Sequence, residues 1–323
     1  MDIIKPRRLE KGALIGVISP SLPLNDDMKG QFEKGVETLR SHGFRVKLAK
    51  NALEKRGYTA GTPEQRAADL HEMILDGEVR MILFSQGGCA ANQLLDKIDY
   101  PLIRKNPKII SGISDGTTLL DPIHQRTGLI TFHGPDLLWT FGREMTPRVL
   151  ANTLDTFCGK PIGELAPDPD WKPLGGERRA YSGWKCLRPG AGTGRLVGGH
   201  LASLINIGFA GYGAEFAGKI LFIEGTETDI PFLDKALTAL RLNRVFHEIA
   251  GLVVGWFDNI EAAKDQVRTV ADLVMEATED AGCPVLEIGE LGHNVHNYVL
   301  PIGCLATLDA GKLRFSMDEI PVS

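Results

Sequence analysis

The segment Lys108-Ile109-Ile110-Ser111-Gly112-Ile113-Ser114-Asp115-Gly116 decides how the rest of the chain is read. Lys108–Ser111 is an apolar run of strand length, and Thr117 to His124 beyond the turn reads as helix. A G-x-S-x-G turn between a strand and a helix is the layout of a nucleophile elbow. Its glycines permit a tight turn and leave the serine uncrowded, so the Ser114 hydroxyl projects at the carboxyl edge of a sheet. The helix N-terminus behind it offers backbone N–H groups to a developing oxyanion. A plain Gly-rich strand-to-helix turn with Ser114 as a helix cap would carry the same letters.

Upstream, strand and helix signals alternate. Ala13–Ser19, Phe44–Leu48 and Val79–Ser85 are apolar strands. Asp26–His42 has helical periodicity, with Phe32, Val36 and Leu39 on one side and Gly43 as the stop. Thr62-Pro63-Glu64-Gln65 is a capping box with Pro at the first helical position. Asn92–Ile98 reads as a further helix. This rhythm implies an N-terminal parallel sheet flanked by helices, with ligands at the carboxyl ends of its strands.

From about Asn152 to Gly194 the rhythm fails in a stretch rich in Pro, Gly and charge. Trp171 and Trp184 lie in it. A tryptophan so placed either anchors its loop to a core or lines a substrate pocket. Regular patterning then returns: strand Lys219–Glu224, helix Pro231–Leu242, strand Ile249–Val254, helix Ala262–Ala277, strand Val285–Ile288 and a β-rich tail. The expected fold is therefore α/β with two domains. Residues 1–155 form an N-terminal domain carrying the nucleophile, 156–193 a linker and loop region, and 194–323 a C-terminal α/β domain.

The chain has 323 residues, 43% hydrophobic and 24% charged, with a net charge of −5. That balance suits a globular protein and gives no electrostatic reason to expect nucleic acid or an anionic membrane as partner. No run of roughly 18 apolar residues suggests a membrane span, and the N-terminus lacks the apolar stretch and cleavage site of a signal peptide. The five cysteines are scattered without CxxC spacing, which fits reduced thiols. A cytoplasmic location without structural zinc is expected.

A serine needs a base, and eight histidines are available. His42, His71, His124 and His247 read as solvated helical residues. His133 closes a strand and could reach the same sheet edge, and His200 follows Gly198-Gly199 at a helix entry. His293 and His296 lie in a loop with Gly and Asn neighbours, where functional residues concentrate. Their spacing lacks the intervening ligands of a zinc motif, so no metal is expected. For the orienting acid, Glu224 ends an apolar strand just before Gly225, although capping the next helix would also explain it. Ser114, Glu224, His293 follow the Ser…acid…His order of other α/β hydrolases. Gln86-Gly87-Gly88 ends another strand, where either a simple turn or an oxyanion donor at Gly88 beside the Asp115 N–H would suit.

These residues resemble the LD-carboxypeptidase family of serine peptidases, family S66, at ordered places along nearly the whole chain. The matching blocks are Gly87-Gly88 through Leu94-Leu95 with Asp99-Tyr100, then Asn106-Pro107-Lys108 with Gly112-Ile113-Ser114-Asp115, then His133-Gly134-Pro135. Beyond them come Gly194 with Gly198-Gly199, Leu221-Phe222-Ile223-Glu224, Gly292-His293 and Leu300-Pro301-Ile302-Gly303. The resemblance implies Ser114 as nucleophile, His293 as base, Glu224 as orienting acid, and the Gly88 and Asp115 amides as oxyanion hole. It also implies a site between two domains, a homodimer, and neither metal nor cofactor. Family members cut the amide between an L-centre and a D-amino acid in cell-wall peptides during peptidoglycan recycling. A branch resembling the microcin C immunity peptidase cuts aminoacyl-nucleotide antibiotics instead. Ile113, His200 and Cys89-Ala90 depart from the residues usual in the family, which bears on substrate preference. The Trp-bearing segment suggests the microcin-immunity branch, with Trp184 as the residue to stack on a nucleobase.

Overall fold

The protein is described from a computed structural model that covers residues 2–174, 183–226, 229–258 and 268–323. In chain order its strands are β1 (Leu14–Ile18), β2 (Arg45–Leu48), β3 (Val79–Phe84), β4 (Ile109–Gly112), β5 (Thr131–His133), β6 (Gly163–Leu165) and β7 (Lys185–Arg188). They continue as β8 (Ala191–His200), β9 (Ile220–Gly225), β10 (Gly251–Phe257), β11 (Val285–Gly292), β12 (Leu300–Ile302), β13 (Leu305–Asp309) and β14 (Arg314–Met317). Two sheets result, a six-stranded one ordered β12-β5-β4-β3-β1-β2 and an eight-stranded one ordered β6-β14-β13-β8-β9-β10-β11-β7. Helices flank both, so the chain is a two-domain α/β protein.

In the first sheet β2, β1, β3, β4 and β5 run parallel. Every residue of β1 is buried, as strands covered on both faces require. The capping box at Thr62 and Gln65 forms, each side chain meeting the other's backbone N–H, with Pro63 in the first turn. The sheet is not purely parallel, however. β12, far along the chain, adds antiparallel to β5, pairing Leu300 with His133. A three-residue strand has too little periodicity to be read in isolation.

Other boundaries moved for local reasons. The helix expected over Asn92–Ile98 is only a 3-10 turn, Ala91–Leu94, because Asp99 caps a separate helix, Tyr100–Lys105. β11 runs on to Gly292, past the polar Glu287 and Glu290. Glu290 is tolerated there because its carboxylate accepts from the Asp168 N–H at 2.7 Å and from Trp184 Nε1 at 2.6 Å. Of the helix expected over Ala262–Ala277, Val270–Ala277 is helical, and 259–267 lie outside the described residues. Within the irregular stretch β6 and β7 join the second sheet's edges, and residues 175–182 are not described. His124 is not solvated; it is buried, with Nδ1 at 2.9 Å from the Leu129 carbonyl, and burial pushes its pKa down to about 4. Among the described residues no helix is long and apolar enough to cross a membrane.

Candidate active site

β4 delivers the chain to Gly112, Ile113 is still extended, and Ser114 then turns to φ +63°. That left-handed conformation is unfavourable for a side chain with a β-carbon and persists only where its surroundings enforce it. Here they do. The Gly116 N–H donates to the Ile113 carbonyl at 2.9 Å, and the helix Thr117–Thr127 starts at once. Ser114 remains partly exposed while its neighbours on both sides are buried.

Asp115 fastens this turn to the loop after β3. Its Oδ2 accepts from Ser21 Oγ at 2.6 Å and from the Ala90 and Ala91 N–H groups at 2.8 Å each. Its Oδ1 accepts from Thr118 Oγ1 at 2.9 Å. Buried Arg66 holds the same loop from behind, donating to the carbonyls of Pro20 at 2.7 Å and Ala90 at 3.0 Å. Gly87 and Gly88 are thereby pressed against the turn. A β-carbon on Gly87 would lie 2.5 Å from Ser114 Cβ, and one on Gly88, whose φ is +148°, would lie 2.4 Å from Ser21 Oγ. In the sequence Asp115 is legible only through its backbone N–H, beside the G-x-S-x-G serine. Its side chain's role is not legible there, because apart from Thr118 its partners lie 24 to 94 residues away.

Glu224 lies in the second sheet, and His293 directly follows one of its strands. Glu224, in β9, is fully buried, and its Oε2 lies 2.6 Å from His293 Nδ1, just beyond β11. Burial alone would raise the Glu224 pKa; His293, with its hydrogen bond, and the further imidazoles of His200 and His133 reverse this and bring it to about 2. Burial would likewise lower the His293 pKa, but Glu224 outweighs it and the net shift is upward. An ionised carboxylate facing Nδ1 fixes the neutral ring's proton there and leaves Nε2 unprotonated. That Nε2 is buried without a hydrogen-bond partner in the protein, although the His293 side chain as a whole keeps 16% exposure.

Contacts at His133 and His200 link the two sheets. His133 in β5 pairs with Gly112 in β4, two residues before Ser114. His200 in β8 pairs with Glu224 in β9. The His200 N–H donates to Thr117 Oγ1 at 3.0 Å, and the His200 ring sits 5.3 Å from that of His293. His133 Nε2 stands 3.7 Å from Glu224 Oε1. So the helix that follows the Ser114 turn is linked to the Glu224–His293 pair through Thr117 and His200.

Trp184 stands elsewhere in character. It is buried at 5% exposure, and its N–H is engaged by Glu290. Trp171 donates to the Gly289 carbonyl at 2.7 Å and packs edge-to-face on Trp256 at 5.0 Å. Both indoles therefore anchor the irregular stretch to β10 and β11. Among the described residues no cluster of three or more His, Cys, Asp or Glu side chains is arranged to hold a metal ion.

Comparison with known proteins agrees with this architecture. Residues 15–134 match the LD-carboxypeptidase N-terminal domain and residues 193–308 the LD-carboxypeptidase C-terminal domain. The chain is 34% identical to the probable murein peptide carboxypeptidase of Bacillus subtilis, over 95% of this chain and 92% of that one. It is 30% identical to the microcin C7 self-immunity protein MccF of Escherichia coli, over 96% and 94%. The solved structure of wild-type apo MccF superposes with a TM-score of 0.91 at 28% identity, covering 99% of this chain and 100% of that one. With both halves of the family matched and the domains superposing over nearly their whole length, the chain belongs to the LD-carboxypeptidase family, peptidase family S66, and is a hydrolase of that family.

Proposed function

We propose that the protein is a serine carboxypeptidase that hydrolyses the amide bond beside a D-amino acid in murein-type peptides, through a Ser114–His293–Glu224 triad. The observation that carries this reading is the 2.6 Å Glu224–His293 contact, which leaves Nε2 as a free base in the cluster that holds the left-handed Ser114 turn. In the proposed reaction His293 Nε2 takes the Ser114 proton as Oγ attacks the scissile carbonyl. The oxyanion is held by the Gly88 and Asp115 amides, which fixed donors of this kind stabilise strongly. Protonated His293 then gives its proton to the leaving amine, and water hydrolyses the acyl-enzyme. Glu224 keeps the imidazole in one tautomer and stabilises its charged form.

A second reading keeps the chemistry and changes the substrate to an aminoacyl-nucleotide antibiotic. It is favoured by likeness to MccF, whose solved complexes include one with glutamyl sulfamoyl guanosine, at a TM-score of 0.90 and 28% identity. Trp184 as a base-stacking residue belongs to this reading, against its burial. A homodimer, expected from the family, belongs to both.

The test is hydrolysis of an L-lysyl-D-alanine-ended muropeptide and of an aminoacyl sulfamoyl adenosine by wild type and Ser114→Ala. Turnover of the muropeptide that falls by several orders of magnitude in the variant supports the first reading. Turnover of the nucleotide alone supports the second. No turnover of either by folded protein points instead to a binding protein that uses the inter-domain cleft without chemistry.

A further inference from the structure

The proposed triad uses one oxygen of Glu224. Oε1, the other, is buried and has no hydrogen-bond partner. Facing it at 3.7 Å is Nε2 of His133, a residue with no exposed surface, and neither ring nitrogen of His133 has a partner. Buried polar atoms are rarely left unpaired, so two such vacancies facing each other are informative. The His133 ring is fixed in place. It lies edge-to-face on Phe222 at 5.3 Å, and a β-carbon on Gly199 would come within 3.2 Å of its Nδ1. It comes from β5 of the first sheet, whereas Glu224 belongs to β9 of the second.

We propose that His133 is a positioning residue for the acid–base pair: its neutral imidazole presents Nε2–H to Glu224 Oε1 and holds the carboxylate so that Oε2 stays on His293 Nδ1. At 3.7 Å the contact is longer than a formed hydrogen bond. Catalytic contacts tighten in the substrate complex. Burial holds the His133 pKa at about 4, so the ring stays neutral across the working range and donates without adding charge. The other ionisable groups that bear on this cluster are His200, Asp115, Asp136 and Asp258. Because the donor and the acid sit on different sheets, the base is fully aligned only when the two domains are docked. The inference rests on Glu224 and His293 being the acid–base pair.

The test compares His133→Phe, which keeps the ring's shape and loses the donor, with His133→Gln, which restores an N–H at similar reach. The Phe variant is expected to lose about tenfold or more in kcat with KM within about twofold, and the Gln variant to recover most of it. Nuclear magnetic resonance of 15N-labelled histidines reads the same relationship without turnover. Loss of the donor concentrates the carboxylate's charge on His293, so its titration should move upward by about half a unit in the Phe variant and return in the Gln variant. An unchanged His293 titration in His133→Phe, or equal losses of kcat in both variants, overturns the proposal. If the Phe variant does not fold, His133→Asn, too short to reach Oε1, takes its place. Ser114→Ala run alongside separates the two questions. Turnover that survives it removes the triad, while the His293 titration still decides the His133–Glu224 contact.

Discussion

The backbone N–H of His200 donates to the Thr117 hydroxyl at 3.0 Å, and this bond ties the strand beside Glu224 to the first residue of the helix that follows Ser114. Gly199 makes it possible. With φ at +146° and its α-carbon against Thr117, it lets β8 come this close.

Gly199→Ala should therefore disturb the site more than its size suggests. The added β-carbon would lie 2.4 Å from Thr117 Oγ1 and 2.8 Å from its Cγ2. Gly218→Ala is the control, since Gly218 also has a positive φ, +67°, but nothing within 4 Å. Both should lose about 1 kcal/mol or more in urea denaturation through backbone strain. Only Gly199→Ala should also lose kcat, because only there must Thr117 and the helix that follows Ser114 shift.

Asp115 should be a stability determinant through its side chain. Asp115→Ala leaves the Ala91 N–H and the Ser21 and Thr118 hydroxyls without their acceptor, while the Ala90 N–H keeps only Ser21 Oγ at 2.9 Å. Each unpaired buried donor costs about 1–3 kcal/mol, so a loss of roughly 3 kcal/mol or more is expected in equilibrium unfolding. Asp115→Asn should lose well under half as much, because its carbonyl can take the place of Oδ2 and its amide can face Thr118. Equal losses in the two variants would show that the carboxylate's charge matters rather than its hydrogen-bond geometry.

The pH dependence follows from the signs of two shifts. His293 is raised above its ordinary 6.5, and as the proposed base it must be neutral to act, so the acid limb of kcat/KM should have its midpoint above 6.5. Glu224→Gln should move that limb downward and cost two or more orders of magnitude in kcat. For stability, Glu224 is depressed from 4.5 to about 2, so its contribution is complete above 4.5 and is lost as pH falls toward 2. The His293 contribution is complete below 6.5 and is lost as pH rises through its raised folded value. The pair should stabilise the fold most between these limits, and wild type should exceed Glu224→Gln in Tm by the widest margin near pH 5.

Trp184→Phe separates packing from binding. The ring stays apolar and buried, but Glu290 loses the indole N–H at 2.6 Å. A loss of about 1–3 kcal/mol in unfolding free energy with unchanged KM is expected of an anchor. A tenfold rise in KM for an aminoacyl-nucleotide, without loss of stability, would instead place the ring against substrate.

Local sequence determined the elements and the turn chemistry. Apolar periodicity marks β1, β3, β4 and β9, the Thr62–Gln65 box marks a helix start, and G-x-S-x-G marks a strand-to-helix turn whose serine takes a positive φ. These depend on residues a few positions apart, so a reading along the chain reaches them. What crosses the chain was decided by tertiary structure alone. β12 joins the first sheet 167 residues from the His133 it pairs with, the difference between positions 300 and 133. Asp115 clasps a loop that sequence shows only as Gly-Gly, and Trp184 sits in the core because Glu290 lies opposite it. His133 illustrates the division. Its place at a sheet edge follows from the strand it ends, but its approach to Glu224 exists only because two separately wound sheets dock edge toward edge, and no periodicity encodes a distance between sheets.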